Sequence, residues 1–144
     1  MLINNYFQTP IWSEQKPEFV KSLNKVSNKY IKEARKKNKD YIKQFGDFGT
    51  CHHSTPLIQD NNFLDFRNYV GQKSWEFLDQ MGYDMNLYTT MFSEMWVQEF
   101  SKKGGGHHSA HIHFNQHVSG LYFLKCSDKT SNPIFHDPKT GARA

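Results

Sequence analysis

The sequence predicts an α+β domain in which helices come first and consecutive strands follow. Two observations predict this class. Apolar residues recur at helical spacing in the first part of the chain, and apolar and aromatic residues alternate or cluster after Gly82. The chain has 144 residues, 37% of them hydrophobic, which suffices for one core, so residues 1–144 are interpreted as a single domain. Aromatic residues make up 15% of the chain, which argues against disorder.

Two helices are predicted before Gly82. The first covers residues 17–37, and its inward face is marked at spacings of four, three and four by Phe19, Leu23, Val26 and Tyr30. The second covers residues 61–80, where Asp60 or Asn61 can cap the start and Gly82 can end the helix. The stretch between the two helices is rich in Gly, Ser, Thr and Pro, and it is predicted to be a loop.

That loop contains two adjacent histidines, His52 and His53, which are interpreted as surface polar residues. The two cysteines, Cys51 and Cys126, lie far apart and form no CxxC motif. Since the N-terminal residues do not have the pattern of a secretory signal, we expect a reducing interior and a cytoplasmic location. No apolar run approaches the roughly 20 residues that span a bilayer, so no membrane partner is expected.

Positive charge is concentrated in residues 29–43, within a chain of formal net charge +4. A basic run of this kind is interpreted as the solvated face of a helix. No aromatic stacking pattern and no recognised nucleic-acid motif accompanies it, so a nucleic-acid partner is not expected.

After Gly82 the chain is predicted to form strands. Residues 86–100 are rich in aromatic, Thr and Met residues and predict one or two strands. Residues 109–115 alternate with period two, and residues 117–126 are apolar enough for a buried strand. A short last strand is predicted over residues 132–138.

The most informative stretch is "GGGHHSAHIHF", residues 104–114. On a strand, alternate side chains share a face, so His111 and His113 would point the same way, with Ile112 opposite. Two imidazoles on one face can bind a single ion, and imidazole suits iron, zinc, copper or nickel. The sequence therefore predicts a metal site at His111 and His113.

Residues 95–138 resemble a group of 2-oxoglutarate- and iron(II)-dependent oxygenases that includes members from marine bacteria and phages. The shared elements occur here in the family's order: Trp96, the glycines at 104–106, His111 and His113, Ser119 and Gly120, Tyr122, and Asp137 with Pro138. The opening residues 6–12 also look like the family's N-terminal segment. The resemblance thus covers most of the chain, although residues 95–138 carry its specific motifs.

The resemblance implies helices packed on a double-stranded β-helix, or jelly-roll, and an iron(II) ion bound by His111 and His113. The cosubstrate would be 2-oxoglutarate, contacted by Gln98 and Tyr122, and the reaction would be a hydroxylation coupled to decarboxylation to succinate. Gln98 stands where the family often has Asn, and Phe123 stands where relatives tend to have a second Tyr.

The family's third ligand histidine and its 2-oxoglutarate-binding arginine are expected well beyond the His-x-His strand. His136 and Arg143 do not match that context. The resemblance therefore implies a jelly-roll that is incomplete at its C-terminus, since such a fold needs about eight strands. An incomplete jelly-roll leaves unpaired strand edges, so a homo-oligomer is expected.

Two alternatives stay open. The spacing of Gly105, His111 and His113 also resembles the cupin pattern, with His117 in place of the cupin glutamate, which would give a three-histidine site. The chain could instead be a catalytically inactive binding module that keeps the oxygenase fold. The sequence does not identify a primary substrate.

Overall fold

The computed structural model describes residues 8–136, and these combine helices with a small two-stranded sheet, so the α+β class is confirmed. The chain divides into a compact unit, Lys16–Leu124, and a second unit formed by its two end segments, of which residues 8–15 and 125–136 are described. The interpretation of residues 1–144 as a single domain stays a prediction. No helix within residues 8–136 has both the length and the apolar surface that crossing a bilayer requires.

The first predicted helix is confirmed. A 3-10 turn at Pro17–Phe19 leads into α1, Val20–Lys37, whose buried residues recur every three or four positions: Leu23, Ser27, Ile31 and Ala34. A further helix, α2 (Lys39–Phe45), follows at once and was not predicted, because it buries no residue and so has no apolar stripe to reveal it.

The second predicted helix is also confirmed. A 3-10 turn at Asn61–Phe63 leads into α3, Leu64–Gln80. Asp60 caps the turn, because its carboxylate accepts a hydrogen bond from the backbone N–H of Asn62 at 2.9 Å. Gly82 adopts a φ of +92° just after the helix, a conformation that glycine allows without strain.

The core lies between α1, α3 and the later chain. Leu23, Leu57 and Phe63 form its buried centre, with Leu57 only 2% exposed. Half-buried side chains from the helices and from residues 95–124 surround this centre: Phe19, Val26, Tyr30, Phe66, Met95, Val97, Tyr122 and Leu124. The late part of the unit is therefore attached to the helices by apolar packing.

The sheet consists of β1, Cys51–His53, and β2, Gln98–Phe100, which pair antiparallel with Cys51 opposite Phe100 and His53 opposite Gln98. Backbone hydrogen bonds continue the pairing on both sides, from Ser101 to Thr50 and from Ser54 to Val97. The prediction of a loop between the two long helices was therefore wrong at β1. Its partner lies far along the chain, so no local pattern announces the strand.

The strand predictions after Gly82 are confirmed only at β2. The described residues contain no strand over 109–115, 117–126 or 132–136, so these predictions were wrong there. Alternation indicates which side chains share a face, but a strand also needs a neighbour for its backbone N–H and C=O groups. Residues 8–136 accordingly form a two-stranded sheet and not a jelly-roll. Asp137, Pro138 and the end of the last predicted strand lie outside the described residues.

Candidate functional site

The two faces of the small sheet have different roles. Successive side chains on a strand point to opposite faces, so Cys51 and His53 share one face of β1 while His52 points to the other. In the paired strand, Gln98 lies with His53 and Glu99 lies with His52. The face of His52 and Glu99 meets α1, and the opposite face meets the histidine-rich segment.

The helix-facing side is structural. His52 is buried, and its Nδ1 lies 3.1 Å from the side-chain amide of Asn38, which also donates to the carbonyl of Cys51. Arg35 donates two hydrogen bonds to Glu99, at 2.7 Å from Nε and 2.5 Å from Nη2. The interpretation of His52 as a surface residue was wrong, because this imidazole helps to fix β1 on α1.

The opposite face carries four imidazoles that form a connected group, named here the histidine cluster: His53, His108, His111 and His113. Trp96 lies between two of them, with its ring centroid 5.2 Å from His53 and 6.1 Å from His113, both in near-parallel stacks. The centroids of His111 and His113 are 5.1 Å apart, and those of His108 and His111 are 5.7 Å apart. The cluster, together with Trp96, thus connects β1, the residues just before β2 and the histidine-rich segment.

His108 attaches the segment to the strands at the other end of the cluster. Its Nε2 lies 3.6 Å from the Sγ of Cys51, and its ring meets Phe100 edge-on at 5.8 Å. Burial lowers the pKa of His108, and the neighbouring His111 and His53 lower it further because two positive charges would repel. Burial also raises the pKa of the Cys51 thiol. Both shifts favour the neutral forms of the two groups, which are compatible with mutual contact.

The three glycines explain how the segment approaches the sheet. Gly104 and Gly105 have φ values of +91° and +74°, and the carbonyl of Gly104 accepts a hydrogen bond from Gly49 at 2.9 Å. A Cβ on Gly106 would lie 3.0 Å from the carbonyl oxygen of Thr50. A side chain at Gly106 would therefore push the segment away from the start of β1, and a side chain at Gly105 would collide with the ring of Phe48.

The predicted ligand pair is brought together, although not by a strand. The Nδ1 of His111 lies 2.7 Å from the carbonyl oxygen of Ser109. Because a carbonyl oxygen only accepts hydrogen bonds, Nδ1 carries the proton and donates it in this contact. This contact leaves the Nε2 lone pair of a neutral His111 ring free to bind a metal. The ring of His113 lies beside it at an interplanar angle of 62°. Both side chains are exposed to solvent.

The other predicted site residues lie in three places. Gln98 is half-buried on β2, opposite His53, and therefore on the face of the histidine cluster. Tyr122 packs its ring on Phe66 in the core, and its hydroxyl donates to the carbonyl of Lys16 at 2.5 Å. His117 meets the ring of Tyr83 edge-on at 5.7 Å. The structure thus places Gln98 on the sheet face that carries His53, and Tyr122 in the core.

Two imidazoles are the donors that iron(II) accepts, so His111 and His113 fit two positions of a facial triad. No group of three His, Cys, Asp or Glu side chains within residues 8–136 is arranged to hold a metal ion. The three histidines of the cupin-like alternative, His111, His113 and His117, are therefore not arranged to hold a metal ion together. Arg143, the last arginine, lies outside the described residues.

A cleft of about 280 Å3 adjoins the cluster. The cleft is lined by His53, which belongs to the cluster, and by Trp96, which stacks on it. The remaining lining residues are Pro56, Ser93, Glu94 and Met95. Sequence reasoning missed His53 and Glu94 as site residues. His53 had been interpreted as polar surface, and nothing in the local pattern of Glu94 marks it.

A scan against protein-family models, a search of curated proteins and a search of solved structures found no match to this chain. The resemblance to the oxygenase group therefore depends on the motif residues alone.

Proposed function

We propose that this chain is a 2-oxoglutarate- and iron(II)-dependent dioxygenase in which His111 and His113 bind the metal. The observation that supports this most is the contact of their two rings, 5.1 Å between centroids, with the Nδ1 of His111 already engaged by Ser109. An imidazole oriented in this way by a backbone carbonyl is the usual arrangement of a metal-binding histidine.

Neighbouring residues support the proposal by fixing the pair. The ring of Trp96 stacks between His53 and His113, which limits the rotation of the His113 side chain. The cleft beside Trp96, at about 280 Å3, is close to the lower limit of about 300 Å3 for small-molecule pockets, so its size suits a small ligand better than a bulky one. Gln98 lies on the same sheet face as His53, and its side-chain amide can donate a hydrogen bond to a carboxylate bound beside the histidine cluster.

When bound, iron(II) and 2-oxoglutarate supply the oxidising chemistry, in which decarboxylation to succinate accompanies hydroxylation of a substrate. The residues of this chain would bind the metal and orient the groups bound to it. His111 and His113 provide two nitrogen donors, and Trp96 forms an apolar wall beside them. Within residues 8–136, no third His, Cys, Asp or Glu side chain is placed to bind the same ion as His111 and His113.

We extend the proposal to the assembly. Alternate side chains in the histidine-rich segment and after it are exposed and apolar: Ile112, Phe114, Leu121 and Phe123. Exposed apolar side chains that lie close together in the sequence are surface that a second copy of the chain could cover. Sedimentation velocity over a range of concentrations tests this, with a homo-oligomer expected and a strict monomer at high concentration contradicting it.

The activity test is uncoupled turnover. The protein is incubated with iron(II), ascorbate and 2-oxoglutarate, and succinate is measured. We expect succinate from the wild type and a loss of at least about tenfold in His111→Ala and His113→Ala, because each removes a metal donor. The matched control is His117→Ala, which changes an exposed histidine of the same region that lies against Tyr83 instead of in the cluster.

The controls also separate the alternatives. Loss of metal binding in His117→Ala, with no response to 2-oxoglutarate, would support the three-histidine cupin-like site and contradict the oxygenase. A second candidate function, a non-catalytic binding module, is favoured by the finding that no three-residue ligand group exists within residues 8–136. Absence of both succinate and iron binding in a folded protein would support that module.

A further inference from the structure

The outer side of α1 carries a row of lysines. Helix α1 contains seven Lys and Arg side chains and one carboxylate, Glu33, whereas the rest of the chain contains eleven basic and thirteen acidic side chains. The positive net charge of the protein is therefore concentrated on this helix. Four of its lysines are exposed, and they recur at spacings of four, seven and four: Lys21, Lys25, Lys32 and Lys36.

These four side chains, named here the lysine row, lie on the side of α1 that faces away from the core. At about 100° per residue they fall within an arc of about 60°, along roughly 22 Å of helix. The buried residues Leu23 and Ile31 lie roughly on the opposite side of the helix. The row is thus a straight, one-sided line of charge on a helix that the core holds in place.

The charge of the row is not compensated. Within the described part of the chain, none of the four lysines forms an ion pair, whereas the neighbouring Lys29 pairs with Asp60. A solvated helix face commonly alternates charges of opposite sign, but here Lys21 and Lys25 are like charges four residues apart, which repel and destabilise a helix. A bound polyanion would remove this repulsion.

The surroundings of the row argue against a membrane as that polyanion. A helix that lies on a membrane inserts its apolar side, but in α1 that side is in the core, where Leu23 and Ile31 are only 4% and 8% exposed. No large apolar side chain within Val20–Lys37 is exposed. The outer side of α1 therefore offers charge without an apolar anchor.

The same side also offers no ring on which an unpaired base could stack. Tyr30, the one aromatic residue of α1, is half-buried and lies against Phe63. Single strands are held largely by such stacking. A duplex keeps its bases stacked internally and presents phosphates at twice the charge per length of a single strand.

We infer that the lysine row binds the phosphate backbone of a nucleic-acid duplex without selecting a base sequence. The absence of a stacking pattern from the sequence is compatible with this ligand, because contacts to phosphates need no aromatic side chain. The inference goes beyond the proposed oxygenase activity and is independent of it. None of the four lysines belongs to the histidine cluster or lines the adjoining cleft, so binding is expected without iron or 2-oxoglutarate.

Fluorescence anisotropy of labelled blunt duplexes of about 20 base pairs, one of DNA and one of RNA, provides the test. We expect saturable binding to the full chain at low salt, with a log–log salt slope between about −2 and −4, since each neutralised phosphate contributes about 0.9. A single strand of equal length should bind at least about fivefold more weakly, because its charge density is lower. Binding of either duplex supports the inference, and the tighter of the two identifies the ligand.

Variants test whether the row itself binds the duplex. Lys25→Gln with Lys32→Gln is expected to make the slope shallower by about 1.8 and to weaken binding at least about tenfold. The matched control is Lys102→Gln with Lys103→Gln, which removes the same charge from two exposed lysines outside the helices. The control should bind within about twofold of the wild type, with an unchanged slope.

A second comparison stays within α1. Lys37 is exposed but lies about 140° around the helix from Lys32. Lys32→Gln should make the slope shallower by about 0.9, whereas Lys37→Gln should leave it unchanged. Lys25→Arg with Lys32→Arg keeps the charge and is expected to retain binding.

Circular dichroism and thermal unfolding establish that each variant is folded. The inference is overturned if Lys25→Gln with Lys32→Gln binds duplex as well as its control, or if a single strand binds as tightly as the duplexes. It is also overturned if polyglutamate displaces the duplex at equal charge concentration, which would indicate an acidic protein partner, or if the chain binds phosphatidylserine vesicles and neither duplex.

Discussion

The helical region, residues 17–80, and the histidine-rich region, residues 104–117, are held in place in different ways. The first packs amphipathic helices around Leu57 and Phe63, which are buried. The second is mostly exposed and contains no helix or strand. It is positioned by contacts of its glycines with the residues just before β1 and with Phe100 of β2, and by ring contacts with Trp96. The residues that carry the proposed chemistry thus lie in the region with the weaker support.

This difference indicates how stability and function are divided. Regions with few buried apolar contacts open at low free energy, and binding segments are often drawn from them. Substitutions in the helical core should therefore affect global unfolding, while substitutions around the glycines should affect the geometry of the imidazoles.

The largest expected effect tests the core. Leu57→Ala removes a side chain that is 2% exposed, so the free energy of unfolding should fall by about 2–5 kcal/mol. The matched change in the other region is Ile112→Ala, where the side chain is 73% exposed and the loss should stay within about 0.5 kcal/mol. Urea denaturation measures both, and equal losses would contradict the proposed division.

The next effect tests the attachment of the histidine-rich region. In Gly106→Ala the new Cβ would meet the Thr50 carbonyl oxygen at 3.0 Å and the Phe100 Cβ at 3.1 Å, so we expect a cost of about 1–3 kcal/mol and displaced imidazole signals of His108. Gly120→Ala is the control, because nothing lies within 4 Å of its added Cβ. Unchanged histidine spectra in Gly106→Ala would show that the glycines do not position the segment.

A smaller effect concerns Asp60 and depends on pH. Hydrogen bonds from Tyr30 first, and then the Lys29 ammonium, hold the pKa of this carboxyl well below its usual value. The stabilisation is therefore complete above the unfolded pKa, near 3.9, and is lost as pH falls below it. Asp60→Asn should unfold more easily than wild type at pH 7, with a difference that narrows at pH 3. A constant difference across this range would contradict the assignment.

The smallest effect concerns Glu99, whose bond to Arg35 fixes the sheet on α1. Both side chains are partly exposed, so Glu99→Gln should cost about 0.2–1 kcal/mol and less at high salt. A double-mutant cycle with Arg35→Gln isolates the pair. A coupling that salt does not reduce would mean that the pair is more shielded from solvent than its exposure indicates.

The helices were predictable because their information is local. The spacing of Phe19, Leu23 and Val26 marks the buried face of α1, and Asp60 and Gly82 mark the ends of the second helical stretch. The α+β class follows from the same patterns.

The strands were not predictable in the same way. β1 pairs with residues more than forty positions along the chain, and its alternation is too short to recognise. The pairing of His111 with His113 was expected from strand alternation, but the structure achieves it through the backbone contact of His111 with Ser109. His53 joined the cluster through Trp96, a contact that no spacing rule reveals.

The most direct test of the proposed metal site is a titration with manganese(II) of protein whose histidines are isotope-labelled, in which the NMR signals of the imidazole rings are observed. Paramagnetic broadening should affect His111 and His113 first, His53 and His108 next, and His117 least, and His113→Ala should abolish the selective pattern. Broadening that begins at His117, or that spreads evenly over all the histidines, would contradict a metal site at His111 and His113.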